Sequence, residues 1–181
     1  SAAQNHRGKE TPNSWVSSFI DARVGLMHNR MKTIDMAVAP KQPFEDNDTG
    51  LVVMLDGEIF NYEDVRRQLE NYYSFTTRGM CEVITKAYDR WGDGCFEGYF
   101  SIVIYNRWSE ELLLCRDRFG IKPLYYATQR GNLFFASEIK ALFAGGIRSL
   151  LSAERWASYL AYSTYGSPYE TFWEGVHQLP A

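Results

Sequence analysis

Four short apolar runs between Phe100 and Ala136, punctuated by turn residues, restrict the folds open to this chain more than any other feature. Phe100 to Tyr105 and Leu112 to Cys115 flank a polar turn at Asn106 to Glu110. Leu124 to Ala127 and Leu133 to Ala136 flank Arg130-Gly131-Asn132. Runs this short, rich in β-branched and aromatic residues and joined by tight polar turns, read as antiparallel hairpins. A chain with such a meander at its centre must build an antiparallel sheet and cover it.

The flanking segments supply the cover. Leu51 to Leu55 is an apolar run bounded by turn residues, as in a buried strand. Val24 to Ile34 reads as extended, and Ala39 to Gly50, with Pro40, Pro43, Asp46, Asn47 and Asp48, reads as a loop. Asn61 is placed to cap a helix through Leu69, with Asp64 in the capping-box position. Val83, Ile84, Ala87, Tyr88 and Trp91 recur at helical spacing, and Gly92 ends that helix. Ser137 is placed to cap a short helix over Glu138 to Phe143, and Ser152 another to about Tyr162. The class is α+β: mainly antiparallel sheet with helices packed against it.

Bulk properties narrow the function. The 181 residues, 45% hydrophobic, suit one full domain. A net charge of -3 provides no basic field for nucleic acid or anionic lipid. No apolar run spans a bilayer and no signal peptide is visible, so neither a nucleic acid nor a membrane is expected as partner. Cys81, Cys95 and Cys115 lack metal spacing, and His6, His28 and His177 are scattered, so no metal site is expected. An odd and sparse set of cysteines fits a reduced, cytoplasmic compartment.

The segment from Cys115 through Arg116-Asp117-Arg118-Phe119-Gly120-Ile121-Lys122-Pro123-Leu124-Tyr125-Tyr126 is very similar to the RDRxGxKPLYY signature of asparagine synthetases. Further marks stand in the same order: His6-Arg7-Gly8, His28-Asn29-Arg30-Met31, Gln42-Pro43, Asp56-Gly57-Glu58-Ile59-Phe60-Asn61, Cys81-Glu82-Val83-Ile84, Gly98-Tyr99-Phe100-Ser101 and Ala136-Ser137-Glu138-Ile139-Lys140. The closing Phe172 to Pro180 resembles that family's bridge into an ATP-using synthetase domain. The resemblance implies a class II glutamine amidotransferase domain of the N-terminal-nucleophile (Ntn) hydrolase type, an αββα sandwich of two mainly antiparallel sheets flanked by helices. In that family an N-terminal cysteine attacks the glutamine amide with its own α-amino group as base, and the ammonia passes to the synthetase domain.

Matched residue by residue, the resemblance implies a degenerate site. The nucleophile must be residue one, and the family places a strand and a helix between its cysteine and the His6-Arg7-Gly8 motif. Ser1-Ala2-Ala3 therefore reads as a cloning scar on a truncated chain, and the sandwich as lacking its first strand. Asp56 stands where the family has the oxyanion-hole asparagine, beside a retained Gly57; an ionised carboxylate only accepts. Outside catalysis, Asp56-Gly57 reads as a turn pair. Arg30 matches the clamp on the substrate α-carboxylate, with Thr33 and Ile34 beside it, and Glu58 is retained. Met80 stands where the family's aspartate would hold the substrate ammonium. No residue is therefore assigned as catalytic.

Three readings follow. In the first, residues 1–150 are a pseudo-glutaminase domain and 151–181 a helix and connector toward a C-terminal synthetase domain, which the first supports or docks. The chain itself then needs no cofactor; ATP and magnesium serve the parent's synthetase domain. In the second, the glutaminase is active and its N-terminal cysteine precedes this sequence. In the third, the cleft is a binding module for glutamine or another amino acid. A homodimer is a further expectation.

Overall fold

The computed structural model describes residues 3, 6, 13–18, 23–29, 41–92, 94–164, 167 and 169–181. Its centre is the pair β4 (Leu51–Ile59) and β5 (Gly98–Asn106), antiparallel in register from Leu51↔Asn106 to Ile59↔Gly98. β3 (Phe44–Asp46) pairs outside β4, and β6 (Glu111–Arg116) outside β5, giving the order β3-β4-β5-β6. Leu51 to Leu55 is buried at every position, so β4 is covered on both faces, as its unbroken apolar run requires.

The two faces serve different layers. Leu51, Val53 and Leu55, with Ile102 and Ile104, pack against Cys81 and Ile84 of α2 (Met80–Trp91). α1 (Tyr62–Leu69) joins this layer through Val65 and Leu69, which meet Val83 and Ala87 of α2. Val52 and Met54, with Val103 and Tyr105, point the other way. They meet Leu26 and Trp15 of the hairpin β1 (Asn13–Ser18) and β2 (Arg23–His28), and Phe135 further along the chain.

A second sheet, in the order β8-β7-β9, contains β7 (Tyr125–Gln129), β8 (Asn132–Ala136) and β9 (Val176–Gln178). The turn joining β7 to β8 has φ of 53° at Arg130 and 76° at Gly131, the two-residue hairpin turn whose twist suits the strands. The far face of this sheet buries Ala127 and Val176 against Leu142 of α3 (Ile139–Ala144). Helix, sheet, sheet and helix thus stack in the αββα order. α4 (Ala153–Tyr162) follows; its Trp156 stacks on Phe172 with ring centroids 4.6 Å apart.

Several local expectations need correction. The segment read as a loop over 39–50 contains β3, held by pairing with β4 and by Asp46 accepting from the buried Lys86 of α2 at 2.9 Å. Asn61 precedes α1 but does not cap it with its side chain. Its amide instead donates to Cys95 O at 3.0 Å and accepts from the Glu97 N–H at 3.0 Å, tying α1 to the chain after α2. Ser137 is not the cap of α3, whose N-cap position is Glu138 with extended backbone. Ser152 does cap α4, accepting from the Arg155 N–H.

Candidate functional site

Asp56 and Gly57 lie inside β4, not in a turn, opposite Ser101 and Phe100 of β5. Gly57 has φ of 131°, and a Cβ there would stand 2.0 Å from the Tyr99 carbonyl oxygen, so only glycine fits. This close approach overrides the local preference of an Asp-Gly pair for a turn. Glu58 follows, and its carboxylate accepts a hydrogen bond from the Tyr99 hydroxyl; that bond, then burial, raises the phenol above its ordinary range.

The Asp56 side chain has an ionic partner that the sequence did not disclose. Lys122 Nζ stands 2.8 Å from Asp56 Oδ1, with both side chains about a quarter exposed at 22% and 24%. Lys122 is fixed by the turn around it. Asp117, fully buried, accepts from the backbone N–H groups of Phe119 at 3.2 Å, Ile121 at 3.0 Å and Lys122 at 3.0 Å, and from Phe100 of β5 at 3.3 Å. Burial pushes the Asp117 carboxyl up, but these N–H groups outweigh it and hold the group below the usual carboxylate range. Arg116 donates to the carbonyl oxygens of Lys122 at 2.6 Å, Leu179 at 2.6 Å and Gly120. Arg116 and Asp117 of this signature thus bond largely to backbone, and the turn they hold presents Lys122 to Asp56.

Beside Asp56, between the two β layers, lies a cavity of about 420 Å³ lined by Met27, His28, Met54, Asp56, Ser101 and Phe135 among others. Gly57, Glu58 and Met80 do not line it. Met80 opens α2 and packs against the apolar cluster on the other face of the central sheet. Arg30, Thr33 and Ile34 lie outside the described residues. Sequence reasoning missed Lys122, Ser101 and His28 as neighbours or lining of this region. Lys122 was in view within the signature, but nothing local links it to Asp56.

Cys81 and Cys115 face the helix-side core and Cys95 packs beneath α1, and these three thiols form no disulfide. Among the described residues, no three His, Cys, Asp or Glu side chains gather as for a metal ion.

A model of the glutamine amidotransferase domain family matches residues 1–181. The chain is 43% identical over 128 residues to asparagine synthetase 2 (glutamine-hydrolyzing) of Bacillus subtilis, covering 69% of this chain and 17% of that protein. It is 32% identical over 177 residues to the amidase chry2 of Gibberella zeae, covering 96% of this chain and 26% of that protein. Asparagine synthetase B of Escherichia coli is 32% identical over 146 residues, 78% of this chain and 26% of that protein. The matches thus span 17% to 26% of the length of these curated relatives. Among solved structures, the glutamine phosphoribosylpyrophosphate amidotransferase of B. subtilis, complexed with ADP and GMP, superposes with a TM-score of 0.64. That match has 19% identity and covers 83% of this chain and 40% of that one, a likeness of fold.

Proposed function

Since this chain belongs to the glutamine amidotransferase domain family, we propose that it is the amidotransferase-type domain of an asparagine-synthetase-like protein in which the glutamine cleft no longer hydrolyses glutamine. The observation that carries this reading is the contact of Asp56 with Lys122, 2.8 Å, at the position expected to feed the oxyanion hole. Attack on an amide puts negative charge on its oxygen, which needs hydrogens pointing at it. A carboxylate accepting from an ammonium presents acceptors there instead. The Gly57 N–H alone would then remain of the two donors. Loss of one such donor costs about 10²–10³ in rate, or roughly 3–4 kcal/mol.

Substrate binding is weakened by a separate change. Met80 packs its thioether into the helix-side core and offers no countercharge to a substrate ammonium. A missing charge-assisted bond is worth about 1.5–3 kcal/mol. Arg30, Thr33, Ile34, Gly57 and Glu58 remain the residues proposed for any amino acid held in the cleft.

The role left to such a domain is to support and orient a C-terminal synthetase domain, which would activate a carboxylate with ATP and magnesium outside residues 1–181. The names of the asparagine synthetases among its relatives, and the small share of their length that it matches, support this reading. The test is glutamine-dependent ammonia release by the full-length protein with its native N-terminus. The expected result is release no faster than from glutamine alone; clear turnover would overturn the reading.

A further inference from the structure

One side chain fastens both the cleft turn and the chain that follows β9. Arg116 Nε donates to the Lys122 carbonyl at 2.6 Å, Nη1 to the Leu179 carbonyl at 2.6 Å, and Nη2 to the Gly120 carbonyl. Lys122 and Gly120 belong to the turn that presents Lys122 to Asp56, whereas Leu179 comes directly after β9. Arg116 therefore stands between an ionic contact at the cleft and the chain leaving the second sheet.

The guanidinium has little room to move. Arg116 is 9% exposed, and a Cβ at Gly120, where φ is 63°, would stand 2.9 Å from one of its terminal nitrogens. The group is planar and its N–H bonds diverge at fixed angles, so a shift of one acceptor tilts the bonds to the others. Lys122 is gripped at three points: its N–H by Asp117 at 3.0 Å, its C=O by Arg116, and its ammonium by Asp56 at 2.8 Å. Leu179 is gripped at two, its C=O by Arg116 and its N–H by the Leu124 carbonyl at 2.8 Å. Leu124 is only 3% exposed. It is the anchored side of Leu179, and Arg116 is the side able to carry a change.

We propose that Arg116 is a positioning residue that couples the Asp56–Lys122 contact to Leu179, so that the charge state of the cleft sets how firmly the chain after β9 is held. An anion that draws Lys122 away from Asp56, or a substitution that removes either charge, releases the Lys122 backbone, tilts the guanidinium and loosens Leu179. The effect is bounded, because a relay passes on no more free energy than the contact that drives it. For a pair about a quarter exposed, the bound is roughly two- to fivefold in an opening equilibrium. The inference is independent of whether the cleft hydrolyses glutamine.

Amide exchange and nitrogen-15 NMR on residues 1–181 test it, with Lys122→Met as the perturbation. The expected result is that the Leu179 N–H exchanges roughly two- to fivefold faster and the Arg116 Nε–H resonance moves. The Gly92 and Ser163 N–H groups, at the ends of α2 and α4, should keep their rates. Placed on Arg116→Lys, which keeps the charge but has no planar fork, Lys122→Met should leave Leu179 unchanged. A Leu179 N–H indifferent to Lys122→Met would overturn the proposal. Equal acceleration in the Arg116→Lys background would do the same, since the change would then travel by another route, and so would a general rise at Gly92 and Ser163. If Arg116→Lys does not fold, Asp56→Asn weakens the contact from its other side and decides the matter. The Arg116 Nε–H resonance and the Leu179 rate must then move together in Asp56→Asn as in Lys122→Met, and movement of one without the other refutes the coupling.

Discussion

Replacing Asp117 by asparagine removes the acceptor that holds the 117–122 turn against β5, and its cost can be worked from the bonds. Oδ1 accepts from the Phe119 and Ile121 N–H groups, and Oδ2 from those of Lys122 and Phe100. Asparagine keeps one acceptor oxygen; its NH₂ group would face two N–H groups that have lost their partner. At about 1.5–3 kcal/mol for each bond to a charged acceptor, the loss is about 3–6 kcal/mol. That rivals the total stability of an ordinary domain, about 5–15 kcal/mol. Urea unfolding followed by tryptophan fluorescence at pH 7 should show the lower midpoint with little change in slope. The pH dependence has a definite sign. The folded carboxyl titrates below its unfolded value of about 3.9, so its contribution is present above that pH and is lost as pH falls through the folded value. The gap between wild type and variant should therefore narrow in acid, where a protonated Asp117 resembles asparagine. A loss under about 1 kcal/mol at pH 7, against the worked estimate, or a gap that widens in acid, would refute the reasoning.

Three further substitutions probe other joints. Lys86→Met strands the buried Asp46 carboxylate, whose partners otherwise outweigh its burial, and should cost about 3–5 kcal/mol by chemical denaturation; a small loss would mean that water reaches the pair. Gly57→Ala drives a Cβ to 2.0 Å from the Tyr99 carbonyl and should give little soluble protein, or a sharply lowered Tm; a wild-type Tm would contradict the close approach. Lys122→Met breaks a pair that is 22% and 24% exposed and should cost about 1 kcal/mol or less, less still in high salt. A loss above about 3 kcal/mol would place that pair among buried ones instead.

The elements legible in the sequence are those whose signal is local and strong. β4 to β6 carry unbroken apolar runs between polar turns, α2 carries helical spacing ended by Gly92, and Arg130-Gly131 suits the turn it makes. β3 was hidden because Phe44–Asp46 sits among proline, asparagine and glycine, and its strand pairing and its bond to Lys86 are tertiary. Asn61 and Ser137 have side chains suited to capping, but Asn61 found partners after α2 and the α3 N-cap position fell on Glu138. Asp56-Gly57 looked like a turn because local preference says so; pairing with β5 keeps it in a strand. At the site, the residue types at positions 56, 57 and 80 came from the sequence alone. The Lys122 contact could not, because the two side chains meet only when the buried Asp117 has folded the loop between them and β5.

Glutamine-dependent ammonia release by the full-length protein, compared with its Asp56→Asn variant, bears most directly on the claim that residue 56 presents an acceptor where a donor is required. The account predicts background release from the wild type and none slower from the variant, with restoration of the donor worth up to about 10²–10³ where the rest of the site permits turnover. A wild type that turns over glutamine would contradict it, and loss of that turnover on Asp56→Asn would show the carboxyl serving the reaction in a role that an amide donor cannot fill.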